Sequence, residues 1–406
     1  MSGQIWDVAI IGGGPAGLGA AAELRRLGVA RVVVLERFET AGGIPRHCGH
    51  PPFGLREFRR VLTGPAYAAR LVEAAEAAGA EIRTRTSVTA IRPGGILELA
   101  TTDGPQELRA RRILLATGNR ETTRAQSLVP GMRPVGVMNT AALQSFLYEE
   151  GRAPFARPVV IGSELVALSA LLSCRRHGIR PAAMVETRPR VQTRRAFGLL
   201  PRLFGVPLHC GAEILGIEGR GRVSGVRLRL ADGTEHRIGC DGVIFSGRFT
   251  PEAALARASG LALDAGTQGP RIDAEGRSSD PLVFVAGNVL HPVETAGYCW
   301  DEGRRMARRI AADLAGSLAA EAPRPALAPG PGLRYVVPQA LVPGRAVTLN
   351  LRAEGRVRGR LVLAGPEGRE YAAASVNAAP ETPLRLDVPA LADLPAELHL
   401  RLDREG

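Results

Sequence analysis

The sequence predicts an α/β protein in which two βαβ domains of one type are followed by a small β domain. Three observations carry this. Residues 7–11 are a short apolar run that leads into "GGGPAGLGAAAELRRLG" and then into a second apolar run, "ARVVVLE", which reads as strand, Gly-rich turn, helix, strand. The same design recurs at "RPVVIGSELVALSALLSCRRHGIRPAAMVE", residues 157–186. Beyond a Pro- and Ala-rich stretch, "RYVVPQALV", "AVTLNLRAEG", "GRLVLAG", "PLRLDVPA" and "ELHLRLD" alternate apolar with polar residues between Gly and Pro turns, the pattern of a small antiparallel β domain.

Two further segments join the first unit to the rest. "ARRILLATGN" is an apolar strand ending in small residues, and "PLVFVAGNVL" repeats that design at residues 281–290; both read as buried parallel strands. The helix at "WDEGRRMARRIAADLAG" follows. These elements place a discontinuous first domain at 1–122 and 245–318, a second at 123–244, a linker at 319–332 and the β domain at 333–406.

The chain has 406 residues and is 45% hydrophobic, enough for a substantial core. It contains no uninterrupted apolar run of spanning length, and its N-terminus lacks a basic segment followed by an apolar one, so the expectation is a cytoplasmic protein without a transmembrane segment. The five cysteines are scattered without a C-x-x-C pair, which argues against a disulfide framework or a metal site held by this chain alone. The formal charge of +12 comes from arginine, since lysine is absent. That removes Schiff-base and phosphate-loop lysine chemistry. The arginines are dispersed with little aromatic interleaving, so no nucleic-acid partner is expected.

The turn after the first strand reads Gly12-x-Gly14-x-x-Gly17, with Pro15 and Ala16 opening the helix. Gly12 permits the tight turn, Gly14 lets backbone approach a pyrophosphate, and Gly17 lets helix and strand pack closely. The helix N-terminus offers N–H groups and partial positive charge to the phosphates. Glu36, followed by Arg37, ends the second strand roughly 20 residues on, where a carboxylate accepts hydrogen bonds from ribose hydroxyls. Together these features describe a Rossmann-like dinucleotide site.

"DVAIIGGGPAGLGAAAELRRLG…VVVLE", "ILLATG", the second βαβ unit and "VFVAGN…EGRRMARRIAADL" together resemble the two-dinucleotide-domain flavoprotein oxidoreductases of the pyridine nucleotide-disulfide oxidoreductase superfamily, over about residues 4–318. "GGIPRHCGHPPFG" with the "AGN" variant is similar to the FAD subunits of amino-acid-oxidising complexes, such as hydroxyproline dehydrogenase, opine oxidase and hydrogen cyanide synthase. The "RYVVPQ" segment of the β domain also resembles flavoproteins that accompany glycerol-3-phosphate dehydrogenase.

The resemblance implies a glutathione-reductase-like fold and FAD as cofactor. It places the diphosphate at Gly12, Gly14 and Gly17 with Pro15 and Ala16, and the adenosine ribose at Glu36 beside Arg37. Val88 would meet the adenine through its backbone, and Gly43, Ala116, Thr117 and Gly118 would close over the cofactor. Where many relatives have Gly-Asp, whose carboxylate takes a ribityl hydroxyl, this chain has Gly287-Asn288, and an amide can still accept that bond or serve as a turn residue. Thr295 and Ala296 would bring a helix N-terminus to the pyrimidine end of the flavin.

Two departures qualify the resemblance. In the second unit, Gly162-Ser163-Glu164-Leu165-Val166-Ala167 keeps only the first glycine, and Glu164 stands where bare backbone should approach a pyrophosphate. Fading of nicotinamide binding is expected there. In "AGGIPRHCGH", alignment on Gly43 puts Pro45 and His50 where disulfide reductases carry their two cysteines, so Cys48 has no local partner and dithiol relay chemistry is absent. His47, Cys48 and His50 leave three readings open: a metal cluster, polar residues fixing a turn under the flavin, or a functional site in which His50, with Cys48 beside it, handles protons next to the flavin.

The function expected from these features is that of an FAD-dependent oxidoreductase without a redox disulfide. It would be a subunit passing electrons from a small amino or imino acid or a polyol phosphate to a separate acceptor, with a partner dehydrogenase or iron–sulfur subunit. The alternatives are an NAD(P)H-dependent flavoprotein reductase and a non-catalytic FAD-holding adaptor. The C-terminal β domain carries no cluster of catalytic residue types, and docking is its expected role.

Overall fold

The computed structural model describes residues 5–193, 197–318, 326–365, 368–380, 382–395 and 397–404. The apolar run after the N-terminus forms strand Ile5–Ile11, buried along most of its length, because it lies in the middle of a seven-stranded sheet. On one side it pairs in parallel with Val32–Leu35, which pairs with Glu81–Arg83. On the other side lies the long strand Gly104–Leu115, whose second half is parallel to Ile5–Ile11 and to Val283–Val285. Its first half turns antiparallel with Ile96–Thr101, which pairs in turn with Ser87–Arg92.

One face of this sheet is covered by the helices Pro15–Arg26, Gly64–Ala77 and Ala296–Leu314. The first and last of these cross closely: a Cβ on Gly303 would lie 2.0 Å from the Ala16 carbonyl oxygen, and one on Gly19 would strike the Trp300 ring. Only glycine permits that approach, which sets the start of the first helix against residues 300–303 of the last.

The second unit repeats the plan with a five-stranded parallel sheet in the order Leu208–Cys210, Ala183–Glu186, Pro158–Ile161, Gly242–Phe245, Val137–Asn139. Helices Thr140–Tyr148 and Leu165–Arg176 pack on it, and a three-stranded meander covers its other face. An antiparallel ribbon of Asn119–Glu121 and Phe249–Pro251 carries the chain between the two sheets.

The C-terminal strands form a sandwich of a four-stranded and a three-stranded sheet around Leu349, Leu351, Leu361, Leu363 and Leu386. Two expectations are corrected here. Residues 326–328, placed in the linker 319–332, form a strand, while 319–325 lie outside the described residues. That strand runs parallel to Glu397–Arg404, so the domain is not wholly antiparallel; alternation fixes which side chains face inward but not strand direction. The sandwich is also less separate than a linker implies, because Tyr335 and Val337 are buried in the same cluster as Val285, Val289 and Leu290 of the first unit.

Candidate functional site

The Gly-rich turn sits between strand Ile5–Ile11 and helix Pro15–Arg26. Gly12 has φ +110°, and a Cβ there would lie 2.4 Å from the Ala116 carbonyl oxygen. A Cβ on Gly17 would lie 2.0 Å from the Gly12 carbonyl oxygen, so helix and turn touch as backbone. Gly14 differs: its Cβ would meet nothing nearer than the Gly43 Cα at 3.9 Å. The turn therefore presents open space at Gly14, above a helix that has no side-chain cap and proline at its first position. An open cradle at an uncapped helix N-terminus fits a diphosphate.

Glu36 is buried and accepts hydrogen bonds from the Gly13 N–H at 2.8 Å and the Phe38 N–H at 2.9 Å, which hold its carboxylate at the rim of that turn. Arg37 is exposed and lies over the Phe38 ring. Val88 sits beside a register shift in its strand pair, where the ladder is interrupted. Thr117 donates to the Glu252 carbonyl at 2.7 Å, and Gly118 has φ +73° with open space where its Cβ would be.

Gly287 lies against the same helix, since its Cβ would be 2.9 Å from that of Ala16. Asn288 uses both ends of its amide on its own loop: Nδ2 donates to the Glu294 carbonyl at 3.0 Å, and Oδ1 accepts from the Glu294 N–H at 2.9 Å. The turn role is thus realised. Thr295 caps helix Ala296–Leu314 without a side-chain hydrogen bond, leaving that N-terminus electrostatically positive. Beneath the loop, Glu302 accepts from the Gly287 N–H at 2.6 Å and pairs with His291 Nε2 at 2.8 Å. Burial opposes charge on both groups, yet the pairing outweighs it: the imidazole is pushed up from its ordinary value and the carboxylate down.

The segment around Cys48 is where the structure departs most from the sequence reading. Cys48, expected to belong to the functional site, has a buried thiol that donates to the Gln144 Oε1 at 3.4 Å, on a helix of the second unit. Burial pushes the thiol up to about 12, with the Glu121 carboxylate adding to the effect, so it remains a neutral packing group without thiolate reactivity. Next to it, a Cβ on Gly49 would fall 2.0 Å from the Tyr148 ring, and the Gly49 carbonyl accepts from Arg176 at 3.1 Å. The segment clamps the two units together.

His50 stands apart from this clamp. It is half-buried, stacks in a tilted arrangement on Phe53 with ring centroids 5.6 Å apart, and directs Nδ1 at the Pro51 carbonyl at 3.0 Å. A proton on Nδ1 leaves Nε2 as the acceptor nitrogen. His47 has a buried Nε2 without a partner, and desolvation lowers its pKa, against the pull of Glu149 and with the push of Arg46.

At the second turn, the Glu164 side chain folds back over the glycines. A Cβ on Gly162 would lie 2.6 Å from Glu164 Oε2, and one on Gly247 only 2.4 Å from its Cδ. Glu186 accepts from the Ser163 hydroxyl and from the Arg188 N–H at 2.9 Å. A carboxylate thus lies against Gly162 and Gly247 and lines the cavity at this turn, where the first turn has bare backbone at Gly14.

The protein-family model described as pyridine nucleotide-disulphide oxidoreductase matches residues 6–307. The chain belongs to this family. It is an oxidoreductase of the pyridine nucleotide-disulphide type, and its two-domain α/β fold is that of the solved members. An opine oxidase subunit of Rhizobium meliloti (strain 1021) is 27% identical over 77% of this chain and 72% of its own length. Among solved structures, the T. acidophilum thioredoxin reductase aligns with a TM-score of 0.62 at 24% identity, over 76% of this chain and 98% of the other. The L-proline dehydrogenase of P. horikoshii aligns with a TM-score of 0.58 at 22% identity, over 78% of this chain and 57% of that one. The family match ends before the C-terminal sandwich. Among the described residues, no helix is long and apolar enough to cross a membrane.

Sequence reasoning missed three groups that the tertiary fold brings to this region. Glu121, two residues beyond Asn119 on the connecting ribbon, is 4% exposed and accepts from the Ala141 N–H at 2.7 Å, with Oε1 unpartnered. Burial pushes its pKa up to about 7. The His291–Glu302 pair and Arg352 complete the set. Only Glu302 lies in a motif that carries the resemblance, at the start of "EGRRMARRIAADL", and burial is what sets each of them apart.

Proposed function

We propose that this chain is an FAD-binding subunit of a dehydrogenase or oxidase that takes electrons from a small amino or imino acid or a polyol phosphate and passes them to a separate electron-transfer protein. The observation that carries this reading is the contrast between the two turns: bare backbone facing open space at Gly14, and a carboxylate side chain at the matching position, Glu164. The first favours a bound dinucleotide, and the second opposes pyrophosphate by bulk and by like charge. The similarity to one component of an opine oxidase supports a role within a larger complex and an amino-acid-derived substrate.

The uncapped turn after Gly14, with Pro15, Ala16 and Gly17, would hold the diphosphate, and Glu36 the adenosine ribose; Gly43, Val88, Ala116, Thr117 and Gly118 would line the remainder. FAD bound there would supply the two-electron redox chemistry. The helix end at Thr295 and Ala296 would favour negative charge beside it, with Gly287 and Asn288 shaping the adjoining turn. His50 Nε2 would accept the proton that an amine or alcohol loses on oxidation. Cys48 takes no part, being a buried neutral thiol.

The test is an anaerobic flavin spectrum titrated in turn with proline derivatives, glycerol 3-phosphate, NADH and NADPH. Bleaching by one of the first two, with slow or no bleaching by the nicotinamides, is expected. Rapid reduction by micromolar NADH would instead establish a reductase with a working second site. A flavin that no small molecule reduces, even with a partner protein present, would establish an adaptor.

A further inference from the structure

The C-terminal sandwich reaches the segment beside the Gly-rich turn through two strands: Arg385, on Leu384–Val388, lies over the Tyr298 ring at 4.8 Å, and the neighbouring strand supplies the polar contacts. Val347–Ala353 carries Asn350 and Arg352, which are two residues apart and so face the same side. Arg352 is 2% exposed; its Nε donates to the Tyr335 hydroxyl at 3.3 Å and its Nη2 meets the Glu294 carboxylate at 2.6 Å. Glu294 is the residue whose backbone N–H and carbonyl are both bonded by the Asn288 amide. Asn350 Oδ1 accepts from the Tyr298 hydroxyl at 2.6 Å, in the first turn of helix Ala296–Leu314. Two side chains of one strand therefore grip the segment 288–298 at Glu294 and Tyr298.

That segment borders the Gly-rich turn, since Gly287 packs on Ala16. A surface ion pair would do little to hold a loop, but this one is desolvated on both sides, with side chains only 3% and 9% exposed. Losing either partner removes a desolvated ion pair that ties the strand to the loop, a larger perturbation than the loss of an exposed pair. The sandwich also has a tie that does not involve the loop: Arg345 pairs with Glu275 at 2.8 Å.

We propose that Arg352 and Asn350 are positioning residues of the cofactor site, holding the segment 288–298 against the dinucleotide turn, so that the sandwich sets how tightly FAD is retained. This rests on the flavin reading above. It assigns the C-terminal domain a part in the site itself, where the sequence indicated only docking.

The experiment titrates deflavinated full-length protein with FAD, followed by flavin fluorescence, in the wild type and in R352M, E294Q, the double variant R352M/E294Q, N350A and R345M, with circular dichroism confirming each fold. R352M and E294Q are expected to weaken binding about tenfold or more, and the double variant no further than the worse single one, as for two halves of one interaction. N350A should weaken it by roughly threefold, the loss of one hydrogen bond. R345M should stay within about twofold of wild type, since its partner Glu275 is not part of the loop. Should R352M not fold, R352K carries the same test, because it keeps the charge but lacks the planar fork that holds Glu294 and Tyr335 together. Folded R352M and E294Q that bind FAD like wild type would overturn the proposal, as would an R345M that loosens FAD equally. Failure of the wild type to bind FAD at all would show that the flavin reading itself is wrong.

Discussion

Replacing Glu121 with glutamine should make the protein more stable at neutral and alkaline pH and change little in acid. The carboxylate is buried on the ribbon between the two sheets, with one oxygen on the Ala141 N–H and the other without a partner. Desolvation raises its pKa from 4.5 to about 7. A carboxyl whose folded-state pKa is raised disfavours the fold only where the unfolded chain is ionised. Below 4.5 both states are protonated and the group is neutral in effect; between 4.5 and 7 the folded state loses ground; above 7 the loss is constant. At about 1.36 kcal/mol per pKa unit, the difference amounts to roughly 3 kcal/mol. Glutamine keeps an oxygen for Ala141 and cannot ionise. Since 1 kcal/mol shifts the melting temperature of a 150–250-residue domain by about 2–4 °C, the gap between variant and wild type should open by roughly 6–12 °C from pH 4.5 to pH 8. Differential scanning fluorimetry of both proteins across that range measures it, and every other titrating group cancels in the comparison. Parallel melting curves at all pH values would refute the argument, because they would place Glu121 in contact with water or with an unrecognised cation.

Gly14→Val should abolish flavin retention without unfolding the protein, because its Cβ points into open space; a yellow variant as purified would contradict the diphosphate assignment. His50→Ala should slow substrate reduction of the flavin by roughly 10²–10⁴-fold with FAD still bound, whereas Cys48→Ser should leave turnover largely intact; stopped-flow reduction of both variants decides between a proton-handling and a structural histidine. Gly49→Ala places a methyl into the Tyr148 ring and should cost about 1–3 kcal/mol, seen as a lower melting temperature; an unchanged value would mean that the clamp is not tight. Glu164→Gly should strengthen NADH binding at the second turn, followed by the rate of flavin reduction, and no change would show that something other than this carboxylate closes the site.

The parts of this molecule that depend on short-range pattern were legible in the chain. The run from Ile5 to Leu35 could become strand, turn, helix and strand because its apolar spacing and glycines leave few other ways to bury it. Gly12 and Gly17 were legible for the same reason: the backbones they admit are neighbours within that unit. The missing thiols at Pro45 and His50 and the carboxylate at Glu164 could also be read directly, as residue types that cannot do what the motif requires.

What lies beside residues distant in the chain follows from how the segments pack. Cys48 was a candidate member of the proton-handling site beside His50, but its thiol packs into the second unit and donates to Gln144, 96 residues away. Glu121 is one of 40 acidic residues in the sequence, and it is set apart because the fold buries it where one oxygen finds no donor. Arg352 is one of many arginines in a chain with no lysine, yet the sandwich aims it at Glu294, 58 residues earlier. Desolvation gives each of these groups its character, and it is a property of the packed molecule: no local pattern records how much water a side chain will lose when segments far apart in sequence close over it.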